Sequence, residues 1–172
     1  MLKANSRTSQ SCRRTHRLRC DRHDSVLGLI VEKTESRGNV VIREKGIPTA
    51  GEGRRKPDLV AQVDGVAHVV DITITLDCND MSGPYGEIVR YYARLDVIDW
   101  VAKVFPGLPC ELGAVVLNWR GTLHHESSSL LRRLGVSADD ETLMSIWVLT
   151  YTANMFKHHT RSTVSDKRPG GG

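Results

Sequence analysis

At 172 residues the chain can form one domain with a real core. No apolar run approaches the roughly 20 residues that span a bilayer, so no membrane role is expected. The basic start MLKANSRTSQSCRRTHRLRC leads into no apolar stretch, which excludes a secretory signal and sets an intracellular expectation, with the four cysteines as thiols or metal ligands rather than disulfides. The net charge of +4 sits at the two ends. Residues 1–23 hold Lys3, Arg7, Arg13, Arg14, Arg17, Arg19 and Arg22 against Asp21 alone, and the last residues add Lys157, Arg161, Lys167 and Arg168 against Asp166. Such ends fit a polyanionic partner, nucleic acid first, or two solvated tails.

In chain order, residues 1–20 show no steady apolar period. Val26, Leu27, Ile30 and Val31 recur at helical spacing within 22–37, with Gly38 as C-terminal cap. NVVIREK (39–45) reads as a strand and GIPTAGEGRR (46–55) as a loop. A hairpin follows, 58–63 and 66–76, joined by the two-residue turn Asp64-Gly65. Its second arm is apolar on both faces, as in a central strand covered by helices. After the connection DCNDMSGP, one long helix over 85–104 is expected, lined by Ile88, Val89, Tyr92, Leu95, Ile98 and Val101. LGAVVLNW (112–119) is a strand, and helices fit 124–134 and 138–158. The last is opened by Ser137 with Asp140 three residues on, a capping-box spacing. The order α-β-β-β-α-β-α-α predicts an α/β fold, one mixed sheet flanked by helices, with a crossover helix between strands three and four.

The hairpin raises the chemical question. Asp71 lies between Val70 and Ile72, and a buried lone carboxylate is costly. With the turn at 64–65, residue 71 faces residue 58, and opposed residues have Cβ atoms about 5 Å apart. Two like charges at that distance repel unless a cation lies between them. Two carboxylates with room for waters and phosphate oxygens can hold Mg²⁺, which beside a phosphodiester activates water and stabilises the leaving oxygen. The alternative is that Asp58 caps a loop and Asp71 pairs with a nearby Arg or Lys. Separately, Cys12, His16, Cys20 and His23 have the spacing C-x3-H-x3-C-x2-H, a possible Zn²⁺ ligand set. The same spacing is also one helix face, along which a continuous helix spreads the ligands over about 16 Å.

KPDLV, twelve residues, then DITI resembles the PD-(D/E)xK nuclease core. More specifically, the chain resembles the restriction-like endonuclease domain at the C-terminal end of site-specific non-LTR retrotransposon polyproteins. HRLRCDRHDSVL (16–27) resembles the end of that family's CCHC zinc motif running into its Arg-His-Asp/Asn segment. KPDLV and VVDITI resemble its catalytic acids. LNWRG (117–121), LLRRLGV (130–136) and NMFKHHTRST (154–163) resemble its C-terminal region.

The resemblance covers about residues 12–163. It implies a restriction-endonuclease-like fold, Mg²⁺ bound by Asp58 and Asp71, nicking of target DNA for element integration, and a nuclear location. It also implies the rest of a reverse-transcriptase polyprotein as partner in full-length relatives, and the chain as a fragment or degenerate copy.

The organisation expected is a basic, partly disordered arm with a zinc-knuckle-like remnant (1–21), the nuclease domain (22–160) and a disordered tail (161–172). Two departures stand out. Only Cys12 precedes His16 and Cys20, where the family has a Cys-x2-Cys pair. The family's lysines, in a Lys-x-x-Lys-Tyr-like pattern, are replaced by Glu87, Arg90 and Tyr91, and position 73 is Thr. Arg90 is then the candidate to stabilise the phosphate and Tyr91 or Tyr92 to orient it, Glu87 an additional Mg²⁺ ligand, and Arg13, Arg14, Arg17, Arg19, Arg22 and Lys56 the contacts to DNA or RNA. Two other readings stay open: a catalytically inactive nucleic-acid-binding remnant, and a small zinc-dependent module centred on 12–23.

Overall fold

A computed structural model describes residues 15–50, 53–76 and 80–165. Five helices and six strands follow one another: α1 (His16–Ser36), β1 (Val40–Arg43), β2 (Ile47–Thr49), β3 (Gly53–Arg55), β4 (Leu59–Val63), β5 (Val66–Thr75), α2 (Ser82–Tyr92), α3 (Leu95–Val104), β6 (Cys110–Asn118), α4 (His125–Leu134) and α5 (Ala138–Ser165). The main sheet has the order β1-β4-β5-β6. Its first three strands are antiparallel, and β6 lies parallel to β5. The fold is thus α/β, a mixed sheet flanked by helices, as the sequence predicts.

The Asp64-Gly65 turn sets the register. Both residues have positive φ, 49° and 77°, as a two-residue turn matched to strand twist requires. Val63 pairs with Val66 and Leu59 with Val70. Alternation then sorts the side chains into two cores. Leu59, Ala61, Val70, Ile72, Val115 and Leu117 face α1, α4 and α5, while Val60, Ala67 and Val69 face Tyr92 of α2 and Val97 and Val101 of α3.

Helix ends follow local chemistry. Ser137 and Asp140 form the expected reciprocal cap of α5: Asp140 N–H donates to Ser137 Oγ (3.2 Å), and Ser137 N–H donates to Asp140 Oδ2 (3.0 Å). At the end of α1, Gly38 takes φ 78° and its N–H donates to Glu35 O at 2.8 Å.

Three expectations change. The helix expected from 22 begins at His16, so residues 16–21, assigned to the arm, belong to α1, while residues 1–14 lie outside the described ones. The C-terminal helix continues through Ser165, five residues into the expected tail. The loop at 46–55 contains the small β2–β3 hairpin.

The single helix over 85–104 is two. Arg94 is extended (φ −127°, ψ 144°), and Asp96 restarts the chain, accepting from Val97 N–H at 3.0 Å while Arg94 Nε donates to it at 3.3 Å. The break resets the helical phase. Leu95 is therefore 79 % exposed and Ile98 39 %, whereas Val97 and Val101 are fully buried.

Candidate functional site

One step beyond the Leu59–Val70 pair, where the β4–β5 ladder ends, stand Asp58 and Asp71, close enough that the charge of Asp58 acts on Asp71. Each acid is held by its surroundings. Asp58 Oδ2 accepts from the Ile72 N–H at 2.7 Å and from His23 Nε2 at 3.0 Å. Asp71 Oδ1 accepts from the Tyr92 hydroxyl at 3.0 Å.

The electrostatics are those of two acids sharing one place. Burial, and then the Asp58 charge, push the Asp71 carboxyl up to about 6; the Tyr92 hydrogen bond, the His23 charge and a hydrogen bond from the Asp58 backbone pull the other way. Burial, and then Asp71's negative charge, raise the Tyr92 phenol well above its ordinary range. His23 rises to about 9, chiefly through its hydrogen bond to Asp58. Its Nδ1 lies 3.2 Å from Asp24 Oδ1, so both ring nitrogens face carboxylate oxygens. An ionised carboxylate only accepts, so both nitrogens must donate and the ring is an imidazolium.

His23 is thus the cation in contact with Asp58, a role no local pattern announces because the pair is 35 residues apart in sequence. Tyr92, assigned to the core from its spacing, is buried there and also reaches the acid. Tyr91 points elsewhere: it is 46 % exposed, and the Arg55 guanidinium lies 3.7 Å over its ring. Arg90 is exposed and its Nε donates to Gly86 O at 3.1 Å. Glu87 is exposed too, and among the described residues it forms no ion pair with Arg90. Neither Arg90 nor Glu87 is among the groups that shift Asp71. Lys56 pairs with Glu44 at 2.8 Å, and Asp58's charge also favours its protonated form.

Arg22 corrects its assignment to phosphate contact. It is 3 % exposed, and its guanidinium donates to Thr152 Oγ1 of α5 at 3.0 Å. Burial, then the neighbouring Arg19, lower it to about 10. A side chain closed between two helices cannot reach a phosphodiester. Arg17 is exposed and Arg19 half-buried, while Arg13 and Arg14 lie outside the described residues.

Of the possible zinc ligands, Cys12 also lies outside the described residues. His16 Nε2 and Cys20 Sγ are 3.7 Å apart on exposed α1, and His23 is turned to Asp58 instead. These side chains line an open groove together with Arg19, Asp24 and Glu44. Among the described residues no three or more His, Cys, Asp or Glu side chains are grouped to hold a metal ion. The Asp58–Asp71 pair still fits Mg²⁺, which binds through one or two carboxylates and otherwise keeps waters and phosphate oxygens. The Ile72 and His23 bonds engage Asp58 Oδ2, and the Tyr92 bond engages Asp71 Oδ1. No helix among the described residues is long and apolar enough to cross a membrane.

No protein-family model matches the chain. Curated relatives do. The chain is 31 % identical over 141 residues, 81 % of its length, to "Retrovirus-related Pol polyprotein from type-1 retrotransposable element R2" of Popillia japonica. It is 31 % identical over 150 residues, 86 % of its length, to the Pol polyprotein from type-2 retrotransposable element R2DM of Drosophila melanogaster. It is 30 % identical over 129 residues, 74 % of its length, to the type-1 R2 polyprotein of Nasonia vitripennis. The chain spans only 29 %, 14 % and 12 % of these three relatives. It is therefore homologous to part of the Pol polyproteins of R2 non-LTR retrotransposable elements.

Proposed function

We propose that the chain is the restriction-like endonuclease domain of an R2-type polyprotein, a Mg²⁺-dependent enzyme that nicks DNA for integration of the element in the nucleus. The observation that carries this reading is the juxtaposition of Asp58 and Asp71 at the end of the β4–β5 ladder, in the sequence context KPDLV and VVDITI.

Mg²⁺ held by the two acids would lower the pKa of a bound water and stabilise the leaving oxygen of a phosphodiester. The chain's own residues prepare that site. The Ile72 N–H and His23 fix Asp58 through Oδ2. The Tyr92 hydroxyl and the Asp58 backbone fix Asp71. Asp71, pushed up to about 6, is ionised at neutral pH, and a divalent cation would relieve its repulsion with Asp58. The test is nicking of supercoiled plasmid with and without Mg²⁺. Mg²⁺-dependent nicking, abolished by Asp71→Asn with DNA binding retained, is the expected result. Absence of nicking by the unmodified chain would overturn the enzyme.

One observation favours a second reading, an inactive nucleic-acid-binding remnant. Arg90, at the place of a family lysine, is exposed and turned to its own helix backbone, so the cation in contact with the acids is His23. Under that reading Glu87→Lys restores nicking to a chain that binds DNA without cutting it.

A further inference from the structure

The β2–β3 hairpin emerges from a segment that reads as a loop, and it lies against the acid site through a chain of rings. Ile47 anchors it in the core below α3, fully buried, and Ala50 N–H donates to Asp96 Oδ2 at 3.1 Å. Arg55, opposite Ile47 in the hairpin, lays its guanidinium 3.7 Å over the Tyr91 ring. Tyr91 meets Tyr92 edge to face, with centroids 5.0 Å apart and planes at 85°. Tyr92 donates to Asp71. Two side chains thus separate the hairpin's cation from the acid.

The outer surface of this arrangement is basic. Arg54, opposite Pro48, is exposed and packs across Gly46, where an added Cβ would stand 3.3 Å from its Cδ. Among the described residues Arg54 forms no ion pair. Lys56, next in the chain after the hairpin, and Arg90, next to Tyr91 on α2, are exposed, with Glu44 paired to Lys56.

We propose that the β2–β3 hairpin and the Tyr91 end of α2 form a cradle for one unpaired strand of nucleic acid, Arg54 meeting a phosphate and the Arg55–Tyr91 stack meeting a base beside Asp58 and Asp71. The proposal rests on the nucleic-acid reading above and names the form of nucleic acid that the site takes. Cations alone would serve any polyanion. A half-exposed aromatic ring under a planar guanidinium adds a surface that stacks with a base, and the faces of bases are hidden inside a duplex.

The experiment is fluorescence anisotropy in EDTA with labelled single-stranded oligonucleotide, an abasic strand of equal length, and duplex. Single-stranded DNA binds about tenfold more tightly than the abasic strand, the effect of a base stacked on an aromatic ring. Tyr91→Leu removes that difference and Tyr91→Phe keeps it. Arg54→Gln weakens all three ligands and reduces the slope of log K against log salt on the single strand by roughly 0.7, one phosphate contact.

Equal binding of abasic and base-bearing strands, or a Tyr91→Leu variant that keeps the difference, overturns the cradle. If Tyr91→Leu does not fold, the ring resonances of Tyr91 in the unmodified protein report the same stack, moving on addition of the base-bearing strand and not of the abasic one. Since EDTA prevents Mg²⁺-dependent cleavage, the two readings fail separately: nicking without base-dependent binding sinks the cradle, and base-dependent binding without nicking sinks the nuclease.

Discussion

The two faces of the sheet are built for different purposes. Under α1, α4 and α5 the core is broad, and buried hydroxyls in it are paired. Ser127, for example, donates to Ala114 O at 2.8 Å and accepts from Val116 N–H at 2.9 Å. Under α2 and α3 the core is smaller, and it ends at Asp71 and Tyr92. One face covers a charge with a packed helix, as α5 covers Arg22. The other tolerates Asp71 at its edge, within reach of the charge of Asp58. The comparison teaches that the α2–α3 side gives up stability where it gathers chemistry, as functional sites do.

The largest expected contrast tests that directly. Leu134→Ala, at a fully buried position of the broad core, destabilises by about 2–5 kcal/mol in urea titration. Leu95→Ala, 79 % exposed at the head of α3, changes stability by less than about 0.5 kcal/mol. Equal costs would break the contrast.

The next effect belongs to Asp71. Its folded-state value of about 6 lies above the ordinary 3.8, so the folded protein holds this proton more tightly than the unfolded chain. The destabilisation is complete above about pH 6 and disappears as pH falls toward 3.8. Asp71→Asn therefore stabilises by roughly 2–3 kcal/mol at pH 7.5 in EDTA, and the gain vanishes near pH 4. No gain at pH 7.5 would mean that the acid face is not strained.

His23 has the opposite sign. Raised from 6.5 to about 9 by its bond to Asp58, it contributes stability that is full below pH 6.5 and lost as pH rises through 9. His23→Gln costs about 1–2 kcal/mol at pH 6, after allowance for its partial exposure, and little at pH 10. Chemical denaturation across that range checks it. Smaller than these is Ser137→Ala, which removes the cap of α5 over the broad face and costs about 1 kcal/mol in the same assay.

What the sequence made legible was local. A two-residue turn with alternating neighbours fixes the hairpin register, and so the meeting of Asp58 and Asp71, and Ser137 with Asp140 announces its own cap. The rest depends on distant partners. The break at Ala93-Arg94 has no Pro or Gly to mark it; Asp96 makes it by serving Arg94 and, across 46 residues, the N–H of Ala50. Tyr92 is buried as its spacing predicts, but that its hydroxyl also reaches Asp71 depends on β5, 21 residues away in sequence. His23 reads as a zinc ligand from its neighbours in the chain and becomes an acid's partner only when α1 is laid beside β4. Arg22 reads as part of a basic arm because nothing near it in sequence shows that α5 will cover it.

That buried arginine also bears on the order of folding during synthesis. Its hydrogen bond to Thr152 spans 130 residues. While a ribosome is still making the middle of the chain, the helix that covers the guanidinium does not yet exist, and the side chain stays hydrated. The first helix therefore cannot dock fully until the last one has left the exit tunnel. Release of a nascent chain stalled before Thr152 should leave α1 open to protease, and release after the last helix has emerged should close it.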